Sequence, residues 1–142
     1  MDTRTAPFLG IGWAFPVVRE PVGEVDGAAR RLAHARYEES VRQGIFLVLS
    51  TAKGERVMRP DFGCGIHELV FAPNDATTRG MAESEVHEAL RQWEPRIEVL
   101  RVTAASDGSQ GERLLVSVDY RVSKTDSRFN LVFPFYLSRP LR

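Results

Sequence analysis

The chain has 142 residues, a length that suits one domain, and a domain of that size buries about 68–70% of the surface its unfolded chain exposes, so no second domain is needed to complete a core. Nineteen Lys and Arg balance nineteen Asp and Glu; the long-range field that steers a protein onto nucleic acid or an anionic membrane is therefore missing, and a neutral protein partner fits better. The one cysteine, Cys64, excludes an internal disulfide framework and suits a reducing cytoplasm.

In chain order, residues 1–12 mix polar side chains with Pro7, Gly10 and Gly12 and lack both the basic start and the apolar core of a secretion signal. They are expected to be a flexible arm unless a partner holds them. From Trp13 to Val18 the chain reads as extended, with Pro16 restricting it to an edge or to a packing role outside a sheet. The aromatics Trp13 and Phe15 are either lids on the core, the favoured reading because buried aromatics dominate small cores, or anchors for a partner. Pro21, Gly23, Asp26 and Gly27 mark a turn that leads into a helix expected from Asp26, an N-cap residue, to about Ser50. Tyr37, Val41, Ile45 and Val48 or Leu49 form its single buried stripe, with Arg36, Glu38, Glu39 and Arg42 facing away. The all-apolar run from Ile45 to Leu49 is far shorter than the ~20 residues that span a bilayer.

The stretch from Gly54 to Gly65 joins that helix to everything after it. Three glycines permit backbone angles that a Cβ resists, and Pro60 fixes its own φ while pushing Arg59 towards an extended conformation. The loop is therefore expected to have one shape, to tuck Phe62 into the core, and to present Glu55, Arg56, Arg59 and Asp61. Beyond it, residues from Ile66 to Phe71 read as a short helical turn ended by Pro73. Asn74 or Asp75 then caps a second helix that reaches about Trp93. Ala82, Val86, Ala89 or Leu90, and Trp93 supply its stripe, Glu83, Glu85, Glu88 and Arg91 are assigned to solvent, and Pro95 stops it.

Three extended runs follow, separated by the polar hairpin loops 106–109 and 123–127. The middle run alternates, with Leu114, Val116, Val118, Tyr120 and Val122 on one face and Arg113, Ser117, Asp119 and Arg121 on the other. The first changes parity between Val99 and Leu100, which predicts a bulge or a strand covered on both faces. The last points Phe129, Leu131, Phe133, Phe135 and Leu137 inward, yet Val132 and Tyr136 make its other face apolar too, so something is expected to cover that face. The result is a two-layer α+β domain, two main helices packed on a small antiparallel three-strand meander.

The order Gly54-Glu55-Arg56-x-x-x-Pro60-x-Phe62-Gly63 after an apolar helix, and a second match at Glu94-Pro95-Arg96, resemble the phage baseplate wedge family, often labelled lysozyme-like. That family includes the sheath initiators of contractile phage tails, of type VI secretion baseplates and of extracellular contractile injection systems, and the resemblance runs from about Gly12 to Phe135. It implies a structural adaptor that docks on the wedge core and starts the sheath. Its implied partners are baseplate wedge core proteins, the sheath subunit, and inner tube or spike hub proteins, with six copies per particle, assembled in the cytoplasm and carried out of the cell, if at all, within the particle. The candidate partner-binding residues are Glu94, Pro95 and Arg96 at the helix-to-strand corner, Glu55, Arg56 and Arg59 on the loop, and Asn130, Val132 and Tyr136 on the last strand.

The lysozyme label invites a search for two carboxylates with opposed environments flanking a sugar. Glu55, Asp61 and Glu68 are the candidates, but each has a nearby Arg or solvent to keep it ionised, so catalysis is not expected. His34, His67 and His87 lack metal-ligand spacing and read as surface residues, no nucleophile motif is visible, and no cofactor is implied. A lysozyme-like peptidoglycan hydrolase and a stand-alone regulatory binding module on the same fold are the alternatives.

Overall fold

The computed structural model describes residues 11–14, 17, 19–21, 30–32, 34–108 and 111–137. In chain order these form β1 (Ile11–Trp13), β2 (Arg19–Pro21), β3 (Arg30–Leu32), β4 (His34–Arg36), α1 (Glu38–Ser50), a 3₁₀ helix (Gly65–Leu69), α2 (Ala76–Trp93), β5 (Ile97–Asp107), β6 (Arg113–Val122) and β7 (Ser127–Tyr136). Contacts divide the chain into two units, 1–44 and 45–142, with the division inside α1.

In the first unit β1 pairs with β4 and β2 with β3, both antiparallel, as two nested ladders. This corrects the expectation of a helix beginning at Asp26. Asp26 itself lies outside the described residues, and 30–32 and 34–36 are strand. The periodic evidence for the helix only ever began at Tyr37; upstream, Ala, Arg and Leu have good helix propensity but no apolar stripe to bury, and propensity is overridden by pairing with a partner strand. Tyr37 makes the switch. Its φ of 56° is left-handed, which ends the strand, and its carbonyl accepts the first helical bond from Val41 N–H at 3.1 Å. Trp13 is exposed on β1 rather than a lid on the core, and Phe15 lies outside the described residues. Of the expected arm, 1–10 lie outside the described residues, whereas Ile11 and Gly12 pair with Arg36 and Ala35.

The second unit carries the antiparallel meander, in spatial order β5-β6-β7. On β6, Leu114, Val116, Val118, Tyr120 and Val122 are buried and alternate with partly exposed neighbours, as their pattern predicts. The parity change in β5 is a bulge: the register with β6 shifts between Val99 and Arg101 and leaves Leu100 exposed. The strand continues to Asp107, into the stretch expected as the 106–109 loop, so the connection to β6 lies further along the chain than the sequence suggests.

Both helices bury one stripe. Asp75 caps α2, its Oδ1 accepting Thr78 N–H at 2.8 Å, and Ala82, Val86, Ala89 and Leu90 are buried, with α2 lying mainly over β5. From α1, Ile45, Val48 and Leu49 enter the core, and Phe46 sets its ring edge-on to Phe133 of β7 at 5.8 Å. Each fully buried Leu or Ile contributes about 1.5–3 kcal/mol through the water it sheds. The two-layer α+β arrangement, two main helices with a three-strand antiparallel sheet, is the one observed.

Two polar residues assigned to solvent have structural tasks instead. Glu83 accepts the Ala104 N–H at 2.8 Å, so a carboxylate from α2 satisfies an outward-pointing donor of edge strand β5. His67 is half-buried, with Nε2 2.8 Å from the Leu49 carbonyl oxygen at the end of α1 and its ring edge-on to Phe135 at 5.7 Å. It occupies one of the carbonyls that a helix end leaves without an internal partner.

Candidate protein-interaction site

The loop after α1 is fixed at both ends. Gly54 (φ 86°) and Gly63 (φ 123°) occupy the left-handed region, and a Cβ on Gly63 would overlap the Thr51 carbonyl. Gly54 N–H donates to Pro60 O at 2.7 Å and closes the loop, while Cys64 N–H donates to Thr51 O at 2.9 Å, beside a parallel bridge between Ala52 and Cys64. Glu55 is turned back on its own loop: its N–H donates to Ala52 O at 3.1 Å and its Oε2 accepts Ala52 N–H at 2.9 Å. The buried Cys64 thiol is pushed up to about 11 by desolvation, so it is a small core side chain rather than a nucleophile.

Side chains finish the lock. Phe62 packs on Trp93, the last residue of α2, at 5.1 Å between ring centroids, half-buried rather than in the core's centre. The Arg56 guanidinium lies over Phe62 at 4.2 Å and the Arg59 guanidinium over Trp93 at 5.1 Å. Two arginines thus lie over a pair of packed, mutually tilted aromatics, and cation–π attraction holds their stems without removing their charge from solvent. Arg59 also pairs with Asp61 at 3.6 Å. The loop tip between these arginines, Val57 and Met58, is 92% and 88% exposed.

The helix-to-strand corner abuts the same aromatic. Glu94 N–H donates to Leu90 O at 3.0 Å and closes α2. Its carboxylate is only 4% exposed and meets Arg96 in a two-pronged pair, Nε to Oε1 and Nη2 to Oε2, both 2.7 Å, with Arg96 32% exposed. That fork raises the Arg96 pKa against the opposing effect of burial. Pro95 between them is exposed. The pair was expected at the surface; the fork is what lets a carboxylate sit inside.

The third group lies on β7. Among the described residues this strand pairs with β6 alone. Pro134, opposite Leu115, has no N–H to give, so this pair belongs to the set that exchanges no ladder bonds. Residues of the same parity, among them Asn130, Val132 and Tyr136, therefore direct their N–H and C=O groups to the open edge. Their side chains share the solvent face, where Val132 is 51% and Tyr136 63% exposed. Asn130 Nδ2 donates to Ser117 Oγ at 2.8 Å and Asp119 Oδ1 at 2.6 Å, and Tyr136 lies under the Arg113 guanidinium, itself paired with Asp107.

The loop and the corner are brought together through Trp93, whereas the β7 residues form a separate surface on the sheet. Sequence reasoning missed the Arg56–Phe62–Trp93–Arg59 stack, and it missed Val57 and Met58, whose signal was two apolar residues between two arginines in an otherwise polar loop. Among the described residues no helix is long and apolar enough to cross a membrane.

The sequence profile of the family described as Baseplate wedge protein gp25 matches residues 35–127. The chain is 32% identical over 63 residues to Baseplate wedge protein gp25 of Enterobacteria phage T4, covering 44% of this chain and 48% of that protein, so the match spans about half the phage protein's length. It is similar to the crystal structure of a Geobacter sulfurreducens protein that bears the name tail lysozyme, at 56% identity and a TM-score of 0.67, covering 71% of this chain and 91% of the other. It is also similar to a chain in the baseplate of the anti-feeding prophage, at 25% identity and a TM-score of 0.70, covering 82% of this chain and 87% of the other.

Proposed function

We propose that this chain, which belongs to the baseplate wedge protein gp25 family, docks on the wedge core of a contractile injection machine and initiates its sheath. A baseplate wedge component is what the family is. The finer reading rests on one observation, the unequal treatment of the two sheet edges. On β5, a carboxylate from α2 takes the outward Ala104 N–H; β7 is ten residues long, carries Val132, Pro134 and Tyr136 on its exposed face and, among the described residues, has no neighbour on its outer edge. An open, apolar edge invites pairing and is normally blunted. Here it serves as the place where an arm of the first sheath subunit adds a strand, gaining main-chain hydrogen bonds to the outward groups of Asn130, Val132 and Tyr136.

In this reading Glu94, Pro95 and Arg96, with Glu55, Arg56 and Arg59 beside them, form the face toward the wedge core, and inner tube or spike hub proteins are the remaining neighbours. Six copies per particle, assembled in the cytoplasm, complete the picture. A catalytic role has only the name of the Geobacter protein behind it. Of the loop's carboxylates, Glu55 is turned onto a backbone N–H and Asp61 onto Arg59, neither facing the other as an acid and a base would.

The test is Val132→Pro, which removes an edge donor that β6 does not need. Particles carrying the folded variant are expected to form baseplates without extended sheaths in electron micrographs. Normal-length sheaths on such particles would sink the proposal.

A further inference from the structure

The fold holds the loop at 54–62 by two left-handed glycines, a closing backbone bond, a doubly bonded Glu55 and a four-member cation–aromatic stack. None of this ordering benefits Val57 or Met58, which stand almost wholly in water. An apolar pair on a mobile loop is unremarkable; one held rigidly outward has already lost the conformational freedom that binding would otherwise remove. Charge is also unevenly distributed around it. Both carboxylates of the loop are engaged, Glu55 by Ala52 N–H and Asp61 by Arg59, whereas Arg56 lies over the Phe62 ring and has no carboxylate partner among the described residues. The unmatched group beside the apolar tip is a cation with N–H edges free to donate.

We propose that this loop tip is a docking knob, Val57 and Met58 entering an apolar pocket on a partner protein whose rim carries a carboxylate opposite Arg56. The inference deepens the reading of the chain as a wedge subunit and rests on it, because it names the surface by which the subunit engages a neighbouring baseplate protein. Unbranched Met fills an irregular pocket well, Val adds a rigid contact, and the fork of Arg56 sets the direction of approach. The knob is too small to be a complete interface of standard size, so it acts as the anchor within a larger one.

The test uses the full chain co-expressed with the baseplate proteins of its own particle. The double variant Val57→Ser/Met58→Ser removes only exposed side chains and is expected to keep the wild-type Tm and circular dichroism while co-purifying at least about tenfold more weakly. Arg56→Gln is expected to weaken binding several-fold and to flatten its salt dependence. Equal co-purification of wild type and the double variant overturns the knob and leaves the wedge reading standing. Failure of the wild-type chain to co-purify overturns both. Tip-dependent binding to phosphatidylglycerol vesicles, in place of protein, would assign the same residues to a membrane surface and overturn the protein pocket.

Discussion

Replacing Arg96 by Met tests whether the corner of the fold depends on its ion pair. The substitution keeps most of the apolar stem and leaves the Glu94 carboxylate, 4% exposed, without its two 2.7 Å partners. Removing one member of a fully buried pair costs about 3–5 kcal/mol, and an exposed pair contributes about 0–1 kcal/mol. Arg96 is 32% exposed, so water reaches the site from one side and the cost falls between, at about 2–3 kcal/mol. For a domain of this size each kcal/mol shifts Tm by roughly 3–5 °C, which places the expected fall near 10 °C in thermal unfolding followed by circular dichroism. Adding Glu94→Gln in the same chain removes the stranded charge and should return part of that loss. A Tm within about 2 °C of wild type for Arg96→Met would refute the argument, because it would mean that the buried carboxylate is solvated without its arginine. The same geometry bears on charge reversal: it seats an arginine where a carboxylate is enclosed and is expected to destabilise the protein, not merely to disconnect it.

Two further outcomes follow from single backbone and capping features. Gly63→Ala adds a Cβ at a φ of 123°, overlapping the Thr51 carbonyl backbone rather than a movable side chain; strain of this kind is worth about 1–3 kcal/mol before the overlap is relieved, so a large drop in the urea midpoint is expected. Asp75→Ala removes the N-cap of α2 and should lower Tm by a few degrees at neutral pH. The Asp75 carboxyl is held below its ordinary pKa, chiefly by the Thr78 N–H bond. Its contribution is therefore present above the unfolded-state pKa and lost as pH falls through the folded-state value, so the gap between wild type and variant should close in acid. A gap that stays constant down to strongly acidic pH would show that the cap does not act through its charge.

What the sequence disclosed tracks where period and burial coincide. Val41, Ile45 and Leu49, then Ala82, Val86 and Leu90, then Leu114 to Val122 each bury one side, and each was readable because the apolar spacing repeats over three or more residues. The parity break at Val99 and Leu100 was readable for the same reason, as a fault in a regular pattern. Residues 30–32 and 34–36 carry no such pattern. Their strand state comes from pairing with β2 and β1, a nonlocal interaction, and from the left-handed angle at Tyr37, which a bulky side chain gives no reason to expect.

The candidate site was legible as backbone and illegible as surface. Gly54, Pro60 and Gly63 announce a loop of one shape, but which side chains that shape presents depends on Trp93, thirty residues away, against which Phe62 and Arg59 settle. Glu94 and Arg96 read in the sequence as a charge pair fixed by Pro95 and offered to a partner, and they prove to be bonded to each other with the carboxylate inside. This separates the two kinds of candidate residue in experiment. A defect in assembly caused by changing Glu94 has an unfolded corner as a competing cause and must be read beside a stability measurement. Val57 and Met58 are exposed and contribute almost nothing to the core, so loss of assembly after their replacement, in a chain of unchanged Tm, isolates the contact itself.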